Sequence, residues 1–167
     1  VLIQIDTREH KSELKRIEPQ FDAIGVEYFH KKLDVGDYAD VDNLALCIDR
    51  KKDLLEVCTN ITQQHERFTN ELNRALESGT KLIILIEHGK DVKCLGDVYN
   101  WHNPRLDKYE YTMENGRPKR AKMFPKATDG PQLYKSLRTI QDKYHVDIKF
   151  CDKDETGYII YKLLGGD

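Results

Sequence analysis

The sequence has no apolar run near the ~20 residues a membrane-spanning helix needs, which excludes a spanning segment. The opening run Val1–Ile5 is followed at once by Asp6, Arg8 and Glu9. It is too short and too acidic for a signal peptide. Cys47, Cys58, Cys94 and Cys151 form no C-x-x-C pair, and the six histidines are dispersed, so neither a zinc module nor a disulfide scaffold is expected. The thiols read as reduced, as in a cytosolic protein. Internal repeats and low-complexity tracts are also missing. What remains is one domain's length, 167 residues, enough to bury a core without staples.

A strong net charge is absent too. The formal total is −2, but residues 1–100 hold 19 acids and 14 bases while residues 101–167 hold 10 and 13. An acidic half joined to a basic half suits a metal-dependent enzyme acting on a polyanion: carboxylates for the metal, bases for phosphates.

The apolar pattern alternates strands and helices. Val1–Ile5, Val26–Leu33, Leu44–Lys51, Leu82–Ile86 and Val146–Phe150 read as strands, the fourth apolar enough to be covered on both faces. Leu14, Ile17, Phe21 and Ile24 mark a helix that stops at Gly25 and that Pro19 is expected to kink or restart. Asn60 is expected to cap a helix with Phe68, Leu72, Ala75 and Leu76 inward. Gly130-Pro131 opens another, and Ile159 to Leu164 a closing one. The expectation is an α/β fold, a central mixed sheet flanked by helices, filling 1–167 as one domain. From Gly96 to Asp129 no clean period appears, and the segment reads as an irregular basic and aromatic insert.

Chemistry concentrates in the first 51 residues. Alternation along Leu44–Lys51 puts Asp49 and Lys51 on one face at the strand's end, with Arg50 on the other. Asp37 lies upstream in a Gly-Asp turn that a hairpin would bring alongside. A carboxylate, then carboxylate-x-lysine on a strand, is the arrangement of the PD-(D/E)XK nucleases. Two carboxylates can hold a hard divalent cation and leave positions for water and a phosphate oxygen. A lysine can orient the attacking water or neutralise a non-bridging oxygen.

Ile5-Asp6-Thr7-Arg8-Glu9, Val35-Gly36-Asp37-Tyr38 and Ile48-Asp49-Arg50-Lys51, in that order, resemble the XPF-type endonuclease domain. That family carries V-D-x-R-E, then G-D-x(n)-E-R-K-x-x-x-D. Arg67-Phe68 and the apolar strand ending at Glu87 also look like family features. Two departures stand out. Asp49 replaces the family's Glu, and the terminal Asp falls on Leu55, with Asp53 and Glu56 nearby. The tandem helix-hairpin-helix domain usual in eukaryotic and archaeal members is not in this sequence, which resembles the short versions of phages and prophages.

The resemblance implies a restriction-endonuclease-like core and a DNA endonuclease acting at branched or single-strand/double-strand junction DNA. It implies Mg²⁺ or Mn²⁺ as cofactor, DNA and a second copy of the domain as partners, and the cytoplasm of a bacterial or phage-infected cell. Asp37, Asp49 and Asp6 would hold the metal. Glu9 would complete the acidic cluster, Lys51 would serve the transition state, and Arg50 would act in or support the site. Arg67 would contact phosphate. In the insert, Arg117, Lys119, Arg120 and Lys122 are expected to neutralise DNA phosphates, beside Trp101, Tyr109 and Tyr111 as stacking groups. The rival reading is a non-catalytic DNA-binding or scaffolding subunit that keeps the nuclease fold.

Overall fold

The computed structural model describes residues 1–166. Six strands form one mixed sheet in the order β2-β1-β3-β4-β5-β8: β1 Ile3–Ile5, β2 Tyr28–His30, β3 Tyr38–Asp40, β4 Asn43–Lys51, β5 Lys81–Glu87 and β8 Asp147–Cys151. β1 runs parallel to β2 and antiparallel to β3, β3 antiparallel to β4, and β4, β5 and β8 run parallel. Helices α1 Lys11–Ala23 and α5 Thr156–Leu163 cover one face; α2 Leu54–Ile61, α3 His65–Ser78 and α4 Gly130–Tyr144 cover the other. This is the α/β architecture expected from the alternation. Among the described residues, no helix is long and apolar enough to cross a membrane.

β5 shows why the layers form. Leu82, Ile84 and Ile86 enter the core under α2, α3 and α4, while Ile83 and Leu85 enter the one under α1 and α5. Every second residue serves a different core, so an unbroken apolar run is what a central strand requires.

Several local expectations change. Helix α1 runs uninterrupted through Pro19. Its Phe21 and Ile17 are fully buried, and packing holds the helix across the one missing N–H. Asn60 caps nothing: it lies inside α2, and its side chain donates to Gln64 Oε1 at 3.1 Å. Asp53 caps α2, accepting from Glu56 N at 2.8 Å, while α3 begins only at His65 and has no side-chain cap. The second strand is three residues, Tyr28–His30, shorter than Val26–Leu33.

The segment 96–129 is not irregular. After two 3₁₀ turns, Leu95–Asn100 and Pro104–Asp107, it forms an antiparallel hairpin of β6 Tyr109–Glu114 and β7 Arg117–Lys122. Asn115 and Gly116 make the turn with φ of 53° and 75°, the positive-φ pair that a tight hairpin needs.

Gly36 fixes the approach to β3. Its φ is +72°, and a Cβ there would lie 2.9 Å from Ile48 O and 3.1 Å from Cys47 Cβ. Gly25 has a similar φ of +70° but open space around it. Gly36→Ala should therefore cost about 1–3 kcal/mol of backbone strain plus the clash with β4, and Gly25→Ala only the strain. Urea denaturation of both variants checks this; equal losses would contradict the steric argument.

Candidate active site

A cleft of about 520 Å³ opens beside the end of β4, lined by Arg8, Glu9, Gly36, Asp37, Asp49, Lys51, Glu56, Arg67, Glu71 and Arg74 among others. Its floor comes from the strand pairing. Asp37 N donates to Ile48 O at 2.8 Å and Arg50 N donates to Asp37 Oδ2 at 2.8 Å, clipping the Gly-Asp turn to β4. Asp6 N donates to Asp37 O at 2.7 Å, which ties the same turn to β1. Strand alternation then brings Asp49 and Lys51 to the face that carries the cleft.

Asp49 and Lys51 are both buried, and Lys51 Nζ donates to Asp49 Oδ1 at 2.8 Å. The ammonium also sits 5.3 Å from the centre of the Phe68 ring. Asp49 Oδ2 is buried with no hydrogen-bond partner. An anionic oxygen in that state is costly unless something binds it. Burial, with the Asp49 and Glu9 charges adding to it, pushes the Asp37 carboxyl well above the usual carboxylate range; Lys51 offsets only part of this. Asp49 is also pushed up, by burial against the opposing pull of Lys51 and with Glu71 adding to the rise. Lys51 is raised in turn, because the Asp49 and Asp37 charges outweigh its burial.

Two buried carboxylates, one raised by the other's charge and one with an orphaned oxygen, fit a divalent cation, which would relieve both. Among the described residues, no cluster of three or more His, Cys, Asp or Glu side chains is gathered to hold a metal. The protein's share would be these two, with water and phosphate oxygens in the remaining positions, as Mg²⁺ commonly accepts.

Of the other expected residues, Glu9, Arg50 and Arg67 border the cleft. Asp6 does not line the cleft. Its carboxylate accepts from Arg8 N and Arg8 Nε at 2.7 Å each, from Arg8 Nη2 at 3.0 Å and from Leu33 N at 2.5 Å. Glu9 lines the wall, but its oxygens accept from Arg50 Nη2 at 2.9 Å, Arg50 Nε at 3.1 Å, Tyr38 Oη at 3.1 Å and His10 N at 2.8 Å. Arg50 points to the opposite face, where it also meets Glu87 Oε2 at 3.2 Å. Asp53, a substitute for the missing family Asp, is taken up as the α2 cap. Arg67 is exposed and lines the cleft, so Arg8, Arg67 and Arg74 form a basic rim over an acidic floor.

Two residues carry more than their sequence context suggested. Glu71 lies at i+4 from Arg67, a spacing that reads as a solvated helix face. Instead it enters the cleft and accepts from Gly36 N at 3.1 Å. Glu87 is fully buried and accepts from Arg16 Nη2 and Thr156 Oγ1 at 2.6 Å each. The charged last position of an apolar strand was the only signal for it.

The hairpin residues Arg117, Lys119, Arg120 and Lys122 are exposed and lie outside the cleft lining. Trp101 is half-buried, edge-on to His88 with ring centres 6.1 Å apart, and packs against the core.

Residues 5–163 match the ERCC4 domain. The chain belongs to the ERCC4 domain family. No curated protein sequence matches it. Among solved structures, XPF from Aeropyrum pernix shares the fold at TM-score 0.62 and 16% identity, covering 98% of this chain and 63% of that one. A second structure of XPF from Aeropyrum pernix, in complex with DNA, gives TM-score 0.63 and 18% identity over 98% and 62%. This ERCC4 domain therefore spans under two thirds of the length of those chains.

In this ERCC4 domain the Asp6 carboxyl is held below its ordinary value. Burial pushes it up, but the bonds from Arg8 and from the Leu33 N–H outweigh that. A lowered value means its stabilisation is present above 3.8, the unfolded value, and is lost as pH falls through the folded one. Asp6→Asn should cost about 1.5–3 kcal/mol at pH 7, toward the lower end because Arg8 is 58% exposed. Denaturation of both proteins from pH 7 to pH 2 checks this; a gap that widens on acidification would contradict it.

Proposed function

We propose that this domain is a divalent-metal-dependent DNA endonuclease that hydrolyses phosphodiesters at branched or single-strand/double-strand junction DNA. The observation that carries the reading is the buried, unpartnered Oδ2 of Asp49 beside Asp37, with Lys51 bonded to the other Asp49 oxygen. Family membership and the likeness to a fold solved in complex with DNA support it.

Asp37 and Asp49 would hold Mg²⁺ or Mn²⁺. Such a cation supplies an acidified water and charge neutralisation at the scissile phosphate. The protein's own parts follow from their positions. Asp37 is aimed by the Arg50 N–H and the turn at Gly36. Lys51, with its pKa raised, stays an ammonium and serves as a hydrogen-bond donor to the attacking water or to a non-bridging oxygen, not as a base. Arg8, Arg67 and Arg74 on the rim would take flanking phosphates. Asp6, Glu9 and Arg50 act through position: Asp6 shapes the segment that Asp37 leans on, and Glu9 and Arg50 hold the end of β4.

The resemblance also suggests pairing of two copies through this domain; the apolar closing helix α5, whose Tyr158 is exposed, is the candidate surface that the sequence offers. All four cysteines are unpaired, which fits a reducing compartment such as the cytoplasm.

Cleavage of a labelled fork or flap should require added Mg²⁺ or Mn²⁺ and be lost in Asp37→Asn and in Asp49→Asn. Full activity in chelator, or in both variants, would sink the assignment. Lys51→Ala should lower turnover about 10²–10³-fold while changing DNA affinity little. If the wild type binds DNA but cuts no duplex, fork, flap or single strand with either metal, the scaffolding reading takes over.

A further inference from the structure

The hairpin of β6 and β7 is exposed on both faces, so core packing does not account for its composition. Its register sorts the side chains. Tyr109 faces Lys122, Tyr111 faces Arg120 and Met113 faces Pro118; Glu110 faces Ala121, Thr112 faces Lys119 and Glu114 faces Arg117. Opposed residues share a face. One face therefore carries two tyrosines, a methionine and two cations with no acid. The other carries both acids, and Lys119 is paired there with Glu114 at 2.5 Å. The four bases that look like one cluster in sequence are split two and two.

The first face is open. Tyr111 is 76% exposed and Met113 70%. Arg120 lies over one face of the Tyr109 ring, 3.8 Å from its centre, and leaves the other face for a base. The strand ends are closed by Met123 N donating to Lys108 O at 2.9 Å. An exposed aromatic surface with cations and no anions matches an anionic ligand with flat apolar faces.

The hairpin also stands at a suitable place. The insert leaves the sheet at the end of β5, the end where Ile84–Ile86 pair with Asp49–Lys51. Its root, with Arg105 and Phe124, lies beside Cys58 and Thr62 near the end of α2, while Glu56 of the same helix lines the cleft.

We infer that this hairpin face is a binding site for single-stranded DNA, stacking unpaired bases on Tyr109 and Tyr111 with Arg120 and Lys122 on the adjoining phosphates. It rests on the endonuclease reading for its choice of DNA, and it gives that activity a means of preferring substrates with an unpaired strand next to the cleft. The opposite face, with Arg117 and Lys119, takes no part.

The test is fluorescence anisotropy with a labelled oligo-dT and a labelled blunt duplex in EDTA, using the full chain. Tyr111→Ala should weaken oligo-dT binding about tenfold, within the range for one stacked base, and leave duplex affinity unchanged. Arg120→Ala with Lys122→Ala should flatten the salt dependence of oligo-dT binding by about 1.4 in log–log slope. Arg117→Ala with Lys119→Ala should change neither. Tyr111→Trp, which keeps a ring, should retain affinity and show quenched emission on binding; this separates loss of stacking from loss of the hairpin. Unchanged oligo-dT affinity in Tyr111→Ala, or equal losses for both DNAs, overturns the inference, and the nuclease reading survives if metal-dependent cleavage persists. Tyrosine-dependent binding in a wild type that cuts nothing supports the inference while the nuclease reading fails.

Discussion

Arg50 is a guanidinium buried between Glu9 and Glu87 on one face of the sheet, and the cleft on the other face depends on it. Removing one partner from such a group leaves an uncompensated charge, at a cost of about 3–5 kcal/mol. The network it anchors ties β4, β5 and the segment between β1 and α1 to α1 and α5, with Arg16, Glu13 and Thr156 completing it. Burial opposes the Arg50 charge, but Glu9 and Glu87 outweigh it and raise its pKa. Because successive strand residues point to opposite faces, pinning Arg50 on one side fixes Asp49 and Lys51 on the other. A one-residue slip of β4 would bury Asp49 among the glutamates and strand Arg50 in the cleft. The charged layer is a register lock for Asp49 and Lys51, the residues proposed to carry the chemistry.

The cleft itself runs against stability. Asp37 is pushed toward its protonated form by burial and by the Asp49 charge, Asp49 by burial and the Glu71 charge, and one Asp49 oxygen has no partner. Structures accumulate such local costs where function requires them. A cation bound there, as proposed, would relieve these costs, and metal binding would then be coupled to local order. Lys51 tempers the cost without removing it, since it reaches one oxygen of one carboxylate.

How far the sequence could be read differs by element for physical reasons. β5, α4 and the end of β4 were legible because each has an unambiguous pattern: an apolar run, a Pro at the helix start, strict alternation. The pairing of Asp37 with Asp49 followed from the Gly-Asp turn before a strand. Asp6 misled because an acid at a strand end looks the same whether it faces a cleft or ties down its own loop; only the Leu33 N–H and Arg8, folded back onto it, tell the two apart. Asn60 misled because the chain is still helical there: α2 runs to Ile61, and α3 starts at His65 with no side-chain cap. The hairpin was missed although Asn115-Gly116 is a strong local signal: Tyr109, Tyr111 and Met113 do alternate with polar residues, but β7 is almost wholly polar and neither strand is buried in the core. Glu71 was hidden by its arginine neighbours, whose spacing fits a solvated helix equally well.

The central claim is that Asp37 and Asp49 form a divalent-metal site serving DNA cleavage. Anomalous diffraction from crystals soaked in Mn²⁺ tests it most directly. The account predicts a peak bonded to Asp37 and to Asp49 Oδ2 in the wild type, and none there in Asp49→Asn. A protein that cleaves DNA with Mn²⁺ but shows its only manganese elsewhere would contradict it.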